Sequence, residues 1–170
     1  MISIETNHSM PGIENSVSKN YSEAVRLIAS GIVVNDPASF YDSLAKSRHP
    51  GMLTSYSIDD LSKMKLFQVR GYSIGFALKE DHDGEHEIVA LHNNETSIQR
   101  VGRKLMEVAI LNGGTKLNHF GSQQLNDLYA SMGFKVVRVE DFDPAYDADG
   151  SFERRYGRLP MVYRKFSYDK

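Results

Sequence analysis

The stretch from Glu87 to Phe134 constrains the fold most, because it alternates between strand-like and helix-like hydrophobic patterns. The first apolar run, Ile88 to Leu91, has the length and the β-branched start of a strand. A polar, turn-rich segment follows from His92 to Thr96. Apolar residues then recur about every 3.6 positions, which predicts a helix. The predicted buried side of that helix is Ile98, Val101, Leu105 and Val108.

A second strand and a second helix complete this unit. Asn112 to Gly114 ends the first helix, since glycine tolerates the left-handed conformation of a C-terminal cap. Thr115 to Phe120 has strand length, Ser122 is a candidate N-cap, and Gly133 ends the second helix. The predicted buried side of the second helix is Leu125, Leu128, Tyr129 and Met132.

Two strands joined by one helix are predicted to be parallel, with a right-handed crossover. The helix then begins beyond the carboxyl end of the first strand. Its free N–H groups and the positive end of its dipole can hold an anion there. The sequence therefore predicts an anion-binding position at the start of the first helix.

The flanking segments predict further helices and strands. Helical patterns cover Tyr21 to Ser30, a segment that begins at Asp36-Pro37, and Ser57 to Met64. Predicted strands are Lys65 to Arg70, Tyr72 to Leu78, Lys135 to Val139 and Met161 to Phe166, the last two forming an antiparallel pair. Asp83-Gly84 predicts a hairpin, and Gly75 a close backbone approach.

Three predictions concern the remaining segments. The helix that begins at Asp36-Pro37 should bury Phe40, Tyr41 and Leu44. Ile2 to Ile4 is a candidate edge strand inside a segment, residues 1–19, that is otherwise predicted to be loop or mobile. Asp141 to Pro160 is predicted to be a long polar connection.

Length and composition indicate a single domain over residues 1–170. Hydrophobic residues make up 41% and charged residues 25%, and this length can bury a core. The net charge of −2 gives no bias toward nucleic acid or anionic membranes. The chain has no cysteine, which excludes disulfides and thiolate sites. Without a bilayer-length apolar run or a signal-peptide pattern, the sequence predicts a cytoplasmic protein.

Two motifs in this unit resemble the acyl-CoA-binding core of the GNAT superfamily of N-acetyltransferases. Val101 to Met106, V-G-R-K-L-M, is similar to the family's common I-G-R-K-L-L. Leu128 to Phe134, L-Y-A-S-M-G-F, is close to the family's L-Y-x-x-x-G-F. The resemblance is clear over about residues 72 to 140. Asn112 to Leu117 and Phe142 to Tyr146 also resemble acetyltransferase-like proteins of phage and bacterial genomes.

The resemblance implies a fold and a reaction. The expected fold is α/β (α+β): a mixed, mostly antiparallel sheet with one parallel strand pair and helices on both faces. The expected reaction transfers an acetyl group from acetyl-CoA, as co-substrate, to an amine of a small molecule or a protein. The expected protein is a monomer or homodimer that binds neither nucleic acid nor membrane.

The family binds pyrophosphate with a loop of pattern Gln/Arg-x-x-Gly-x-Gly/Ala. If Gly102 is the last glycine, Arg100 stands at the first glycine position and Ser97 at the Gln/Arg position. If Gln99 takes the Gln/Arg position, Gly102 is the first glycine and Lys104 the small residue. One glycine is missing in either alignment. The residues whose N–H groups would bind pyrophosphate are Gln99, Arg100, Val101, Gly102 and Arg103.

The resemblance also implies roles for the preceding strand. In the family, the end of this strand splays from its parallel neighbour and binds the pantetheine arm through free backbone groups. The matching residues are Ala90, Leu91 and His92. An N–H group in this region would polarise the thioester carbonyl.

Tyr129 and Glu87 are the catalytic candidates that the resemblance implies. Tyr129 matches a tyrosine that protonates the leaving thiolate, and the alternative is that it only packs in the core. Glu87 matches a glutamate that takes a proton from the amine, and the alternative is a solvated strand edge. Ser122 matches an asparagine that contacts CoA, and its alternative is a helix cap.

No metal site is predicted. The polar residues Asp81, His82, Asp83 and His86 surround a predicted hairpin, which explains Asp83 without a metal. The histidines His92 and His119 fall near the parallel strand ends, where they either tune proton transfer or pack. The acidic residues Glu140, Asp141, Asp143, Asp147 and Asp149 either attract a cationic acceptor or form a solvated loop. The aromatic residues Phe142, Tyr146, Phe152 and Tyr156 are expected to pack that loop on the domain.

Three functions remain open on the sequence alone. The first is an acetyl-CoA-dependent N-acetyltransferase. The second is a catalytically inactive relative that serves as a binding or virion-associated interaction module, which the missing glycine favours. The third is a CoA-sensing domain that binds without turnover.

Overall fold

The computed structural model describes residues 26, 28, 32–34, 36–46, 54–98 and 100–167. Its strands are β1 (Ile32–Val34), β2 (Lys65–Val69), β3 (Ile74–Glu80), β4 (His86–Asn93), β5 (Gly114–Phe120), β6 (Phe134–Glu140) and β7 (Met161–Phe166). Its helices are α1 (Pro37–Ala45), α2 (Ile58–Leu61), α3 (Gly102–Leu111), α4 (Gln123–Ser131) and α5 (Ser151–Tyr156), with a 3-10 turn at Pro144–Tyr146.

The strands form one mixed sheet in the order β1-β2-β3-β4-β5-β7-β6. β4 and β5 are parallel, and each other neighbouring pair is antiparallel. This confirms the predicted α+β architecture with one parallel strand pair. β6 and β7 pair antiparallel from Phe134–Phe166 to Glu140–Met161, as predicted.

Each face of the sheet carries its own apolar core, because neighbouring strand residues point to opposite faces. The α3 core packs α3 and α4 on one face and includes Ile88, Leu105, Leu117 and Tyr129. The α1 core packs α1 and α2 on the other face and includes Phe40, Leu61, Leu66 and Ala77. Helices therefore cover both faces, as predicted.

Glycines shape the antiparallel part of the sheet. A Cβ atom at Gly75 would overlap the carbonyl oxygen of Phe67, so the predicted close approach is confirmed. The predicted hairpin at Asp83-Gly84 is also confirmed: Gly84 has φ +84°, and the Asp81 N–H donates to the Glu85 carbonyl at 2.8 Å.

The start of α3 differs from the prediction. The helix begins at Gly102 rather than near Ile98. Arg100 has φ +65°, which is incompatible with a right-handed helix at that residue. The side chain of Ile98 is nevertheless buried in the α3 core. An apolar residue at this position matched the helical spacing, although its backbone lies before the helix.

Further predictions were wrong in part. Tyr41 is 43% exposed, because α1 turns Phe40 and Ser43 toward the sheet instead. β4 extends through His92 to Asn93, where a polar loop was predicted.

The connection between residues 141 and 160 is not simply a loop, since it contains the 3-10 turn and α5. Phe152 packs against Phe120 of β5, as expected, and Phe142 and Tyr156 pack against Phe152, but Tyr146 is 89% exposed.

Several predictions concern residues at the edge of the described chain. Ile2 to Ile4 and residues 7–19 lie outside the described residues. Of the helix predicted at Tyr21 to Ser30, Arg26 and Ile28 are described, and both are helical. β1 was not predicted. In the described ranges, no helix has the length and apolar character needed to cross a bilayer.

Candidate functional site

β4 and β5 separate near the centre of the sheet. Their paired residues are His86 with Gly114 and Glu87 with Lys116. β4 continues to Asn93 and β5 to Phe120 without further paired residues. We call the space between residues 88–93 and 117–120 the β4–β5 gap. The backbone of β4 has no neighbouring strand on this side, which leaves its polar groups able to bond an extended ligand.

β4 carries a bulge beside this gap. Gly75 pairs with His92 and Ala77 with Val89, so β4 has one more residue than β3 between the two pairs. Ala90, within this interval, has φ +56°. A bulge re-aims the neighbouring backbone groups and side chains. The three residues predicted to contact pantetheine, Ala90, Leu91 and His92, thus include the irregular part of the strand.

The connection from β4 to α3 is the second unusual feature. Among the described non-glycine residues, Ala90 and Arg100 are the two with positive φ, and they lie before and after this connection. A left-handed conformation costs a non-glycine residue about 1–2 kcal/mol. Such strained backbone positions cluster at functional sites.

The start of α3 has no side-chain cap. The N-cap residue Val101 makes no capping hydrogen bond, whereas Asp36, Ser57 and Ser122 cap α1, α2 and α4. The first N–H groups of α3 are therefore available to an anion. Ser122 is confirmed as a cap, since its hydroxyl accepts from the Leu125 N–H at 3.3 Å.

The predicted pyrophosphate ligands have different surroundings. Arg100 is exposed, and Arg103 is exposed and donates to the Ser131 hydroxyl at 2.6 Å. A Cβ atom at Gly102 would meet only Leu128 Cδ2, at 3.9 Å, so packing does not require glycine there. The side chain of Val101 belongs to the α3 core. Gln99 lies outside the described residues.

Tyr129 is buried on the α3 side of the sheet, with 7% of its surface exposed. Among the described residues its hydroxyl has no hydrogen-bond partner. Burial raises the pKa of Tyr129 to about 12, and the positive charge of Arg164 opposes that rise. The Tyr129 hydroxyl therefore stays protonated at neutral pH and is a proton donor without a structural acceptor.

A buried arginine and histidine lie beside Tyr129. The His119 ring centroid is 4.8 Å from that of Tyr129. Arg164 Nε donates to His119 Nε2 at 2.9 Å, so His119 is the tautomer that donates from Nδ1 to the Phe120 carbonyl at 2.7 Å. Burial and the Arg164 charge lower the pKa of His119.

Glu87 lies on the opposite, α1 face of the sheet. It is half-buried, and it accepts a hydrogen bond from Asn118 Nδ2 at 3.0 Å. Burial raises the pKa of Glu87, the charge of Asp81 adds to this rise, and Lys79 and Lys116 oppose it. A raised pKa brings a carboxylate closer to the range of an effective general base.

A pocket of about 290 Å³ opens on the same face as Glu87. Five of its lining residues are Glu87, Lys116, Asn118, Arg138 and Tyr163. Lys116 is paired with Asp83, and Arg138 with Glu140, whereas Glu87 forms no ion pair with any described residue. The structure does not bring Glu87 and Tyr129 together. They approach the β4–β5 gap from opposite faces.

His92 has a structural environment that the sequence did not indicate. Its side chain is 6% exposed, and its Nε2 lies 2.7 Å from the Ser43 hydroxyl of α1. Its Nδ1 donates to the Ala90 carbonyl at 2.8 Å. Ser43 also bonds Ser73, at 3.0 Å. This network ties the β4 bulge to α1, and burial lowers the pKa of His92.

The acidic residues near the 3-10 turn are mostly bonded locally. Asp143, Asp147 and Asp149 accept hydrogen bonds from backbone N–H groups within six residues of themselves. Glu140 pairs with Arg138 and accepts from the Tyr163 hydroxyl. In the ranges that the structure covers, no three His, Cys, Asp or Glu side chains form a metal-binding group.

Sequence reasoning missed Arg164, Asn118 and Ser43. Arg164 falls in an alternating strand pattern in which an arginine is expected to face solvent, whereas in the structure it is buried and bonds His119, Phe134 and Asn126. No local sequence signal identifies these residues. The chain matches no protein-family model and no curated protein.

Proposed function

We propose that this protein is an acetyl-CoA-dependent N-acetyltransferase of the GNAT superfamily that acts on an amine. The observation that carries the proposal is the β4–β5 gap, which opens between the only parallel strands of the described sheet beside an uncapped helix start. The gap offers strand backbone that has no neighbouring strand on one side, and the helix offers N–H groups without a side-chain cap. A thioester on a long amide-containing arm with a pyrophosphate suits this combination.

The pantetheine arm would bind β4 as an added strand, at Ala90, Leu91 and His92. The bulge at Ala90 re-aims the neighbouring backbone N–H groups at the point where the thioester carbonyl must be polarised, while the Ala90 carbonyl itself accepts from His92. The side chain of His92 holds the bulge from the α1 side, so the bound arm would meet its backbone rather than its imidazole.

The pyrophosphate would bind at the start of α3. The N–H groups of Val101, Gly102 and Arg103 supply donors there, and the exposed Arg100 supplies charge. Arg100 adopts the left-handed conformation that glycine adopts most readily. This favours the alignment in which Arg100 replaces the first glycine of the family loop and Gly102 is the last.

In the proposed reaction, Glu87 on the α1 face and Tyr129 on the α3 face act on the thioester in the gap. The amine nitrogen attacks the thioester carbonyl, forming the C–N bond, and the C–S bond then breaks with its electron pair on sulfur. Glu87 takes the proton that the ammonium loses before attack, through a water molecule, and the second proton of nitrogen leaves to solvent through the same water after the C–N bond forms. An amine with a pKa near about 10.4 is charged at neutral pH, so a base is required. Tyr129 gives its hydroxyl proton to sulfur and regains one from solvent.

The proposal is tested by ligand-induced thermal stabilisation of the full chain with acetyl-CoA and with CoA. Ligand at about 100 times its dissociation constant adds about 2.7 kcal/mol to the free energy of unfolding. We expect both compounds to stabilise the protein. Stabilisation without thiol release across a panel of amines would instead favour a CoA-sensing domain. No stabilisation by either compound would contradict both of these functions and leave the interaction module.

Two substitutions at one residue test the phosphate position. Arg100→Ala and Arg100→Gly both remove the charge, but only glycine relieves the left-handed strain. We expect both to weaken acetyl-CoA binding about tenfold, since a charge-assisted hydrogen bond contributes about 1.5–3 kcal/mol. Only Arg100→Gly should raise the unfolding free energy. Unchanged calorimetric affinity in both variants would remove Arg100 from the binding site.

A further inference from the structure

Arg164 is a buried cation without a buried counter-ion. Its side chain is 5% exposed. It donates to His119 Nε2, to the Phe134 carbonyl at 2.7 Å and to Asn126 Oδ1 at 3.1 Å, and all three acceptors are neutral. In the described ranges no carboxylate lies within ion-pair distance of it. Burying a charge is costly unless an opposite charge accompanies it.

The groups packed around Arg164 determine which side chains its positive charge can influence. Tyr129 packs against His119 of β5, with ring centroids 4.8 Å apart, and against the uncharged Phe134 of β6, with ring centroids 6.5 Å apart. α3 contributes apolar side chains to the same core: Val101, Leu105, Met106 and Ala109. The two hydrogen bonds of His119 require a neutral imidazole, because its Nε2 accepts from Arg164 and its Nδ1 donates to the Phe120 carbonyl. Arg164 bonds His119, and His119 packs on the ring of Tyr129, so a buried positive charge lies one side chain away from Tyr129 and its unpartnered hydroxyl.

We propose that Arg164 is a positioning residue that stabilises the negative charge formed at the Tyr129 end of the β4–β5 gap when the C–S bond breaks. This inference rests on the proposed acetyl transfer. Sulfur leaves with the electron pair of the C–S bond, and the Tyr129 proton moves to sulfur. The negative charge thus passes from sulfur to the phenol oxygen, and Arg164 acts on it at both stages through the cluster with His119.

The thiol of bound CoA reports this charge without an acceptor amine. A free thiol has a pKa near about 8.5, and transfer into an apolar site alone would raise it. A nearby cation lowers it. The experiment titrates the ultraviolet absorbance of the thiolate in the complex of the full chain with CoA, with S-methyl-CoA as the blank. We expect the bound thiol to have a lower pKa than free CoA, and an equal or higher value would overturn the proposal.

Substitutions then assign the effect to Arg164. Arg164→Met should raise the pKa of the bound thiol by about 1–3 pH units, and Arg164→Lys should keep most of the wild-type value because it keeps the charge. Lys165→Met is the matched control, because it removes a positive charge from the next residue of β7, which points to the opposite face. The control should leave the pKa of the bound thiol unchanged.

The outcomes separate this inference from the proposed function. If CoA does not bind the wild-type protein, the result contradicts both the proposed acetyl transfer and the proposed role of Arg164. If CoA binds but the pKa of its thiol is not lowered, or is the same in Arg164→Met as in wild type, the result contradicts only the proposed role of Arg164. If Arg164→Met does not fold, Arg164→Gln replaces it, since it also removes the charge but keeps a hydrogen-bonding side chain, and the same rise in the pKa of the bound thiol is expected.

Discussion

Two buried polar clusters lie on opposite faces of the sheet near the β4–β5 gap, and they differ in how completely they are bonded. On the α1 face, Ser43, Ser73 and His92 bond one another and the backbone, so the polar atoms of their side chains all have a partner. On the α3 face, Tyr129 has an unpartnered hydroxyl and Arg164 has no counter-ion among the described residues.

This difference separates a structural role from a functional one. A fully bonded network contributes rigidity, and here it fixes the bulge of β4 against α1. A buried donor without an acceptor and a buried charge without a counter-ion both lower stability, so their presence calls for another explanation. A bound group that develops negative charge supplies both missing partners. The α1-face cluster therefore holds the gap in shape, and under the proposed function the α3-face cluster acts on the ligand that enters it.

The largest expected effect is the loss of unfolding free energy when the His92 side chain is removed from the α1-face cluster. His92→Ala leaves the Ala90 carbonyl without its side-chain partner, which costs about 1–3 kcal/mol, and it removes one of the two hydrogen bonds of the Ser43 hydroxyl, which still bonds Ser73. Denaturant unfolding of His92→Ala and wild type measures this loss. A loss below about 0.5 kcal/mol would show that the network does not stabilise the fold.

The pH dependence of stability is the next largest effect. Burial lowers the pKa of His92 and His119 below 6.5 in the folded protein. The unfolded chain therefore binds more protons below pH 6.5, and stability is lost as the pH falls from there through the folded pKa values. Each histidine contributes up to about 1.4 kcal/mol per pH unit. Glu87, whose pKa is raised, acts in the opposite direction.

Matched variants isolate the histidine contribution. His92→Gln should reduce the slope of unfolding free energy against pH between pH 7 and 5, because it removes one buried titrating group. His82→Gln, at an exposed imidazole, is the control and should leave the slope unchanged. Equal slopes in His92→Gln and wild type would contradict a buried neutral His92.

The smallest effect on stability is expected at Tyr129. Tyr129→Phe removes a hydroxyl that has no described partner, so the free energy of unfolding should change by less than about 0.5 kcal/mol or rise. Acetyl transfer should nevertheless fall about 10²–10⁴-fold, the usual contribution of a general acid, while CoA affinity is retained. Calorimetry and steady-state rates check both parts. A large loss of stability would show that the hydroxyl has a structural partner after all.

The sequence predicted the architecture well, because local patterns determine it. The alternation around Met161 and the glycines after α3 and α4 indicated where strands and helices begin and end. The sequence-based prediction failed at positions where packing between distant segments overrides the local pattern. Ile98 keeps the helical period but lies outside α3, and Tyr41 turns outward although it is apolar.

The candidate site was predictable only in part. Tyr129, Gly102 and Glu87 stand at recognisable motif positions, and the structure places Glu87 and Tyr129 on the two faces beside the gap. Arg164 and Ser43 could not be found, since each is brought to its cluster by residues about 30 or more positions away. Chain distance of that size leaves no local pattern to detect.

Amide hydrogen exchange with and without acetyl-CoA tests the central claim most directly, that the β4–β5 gap and the start of α3 form one acyl-CoA site. The account predicts new protection at Ala90 to His92 and at Val101 to Arg103, with no change at the start of α5, where Asp147 and Asp149 already accept the first N–H groups. Acetyl-CoA binding that leaves both the end of β4 and the first turn of α3 unprotected would contradict it.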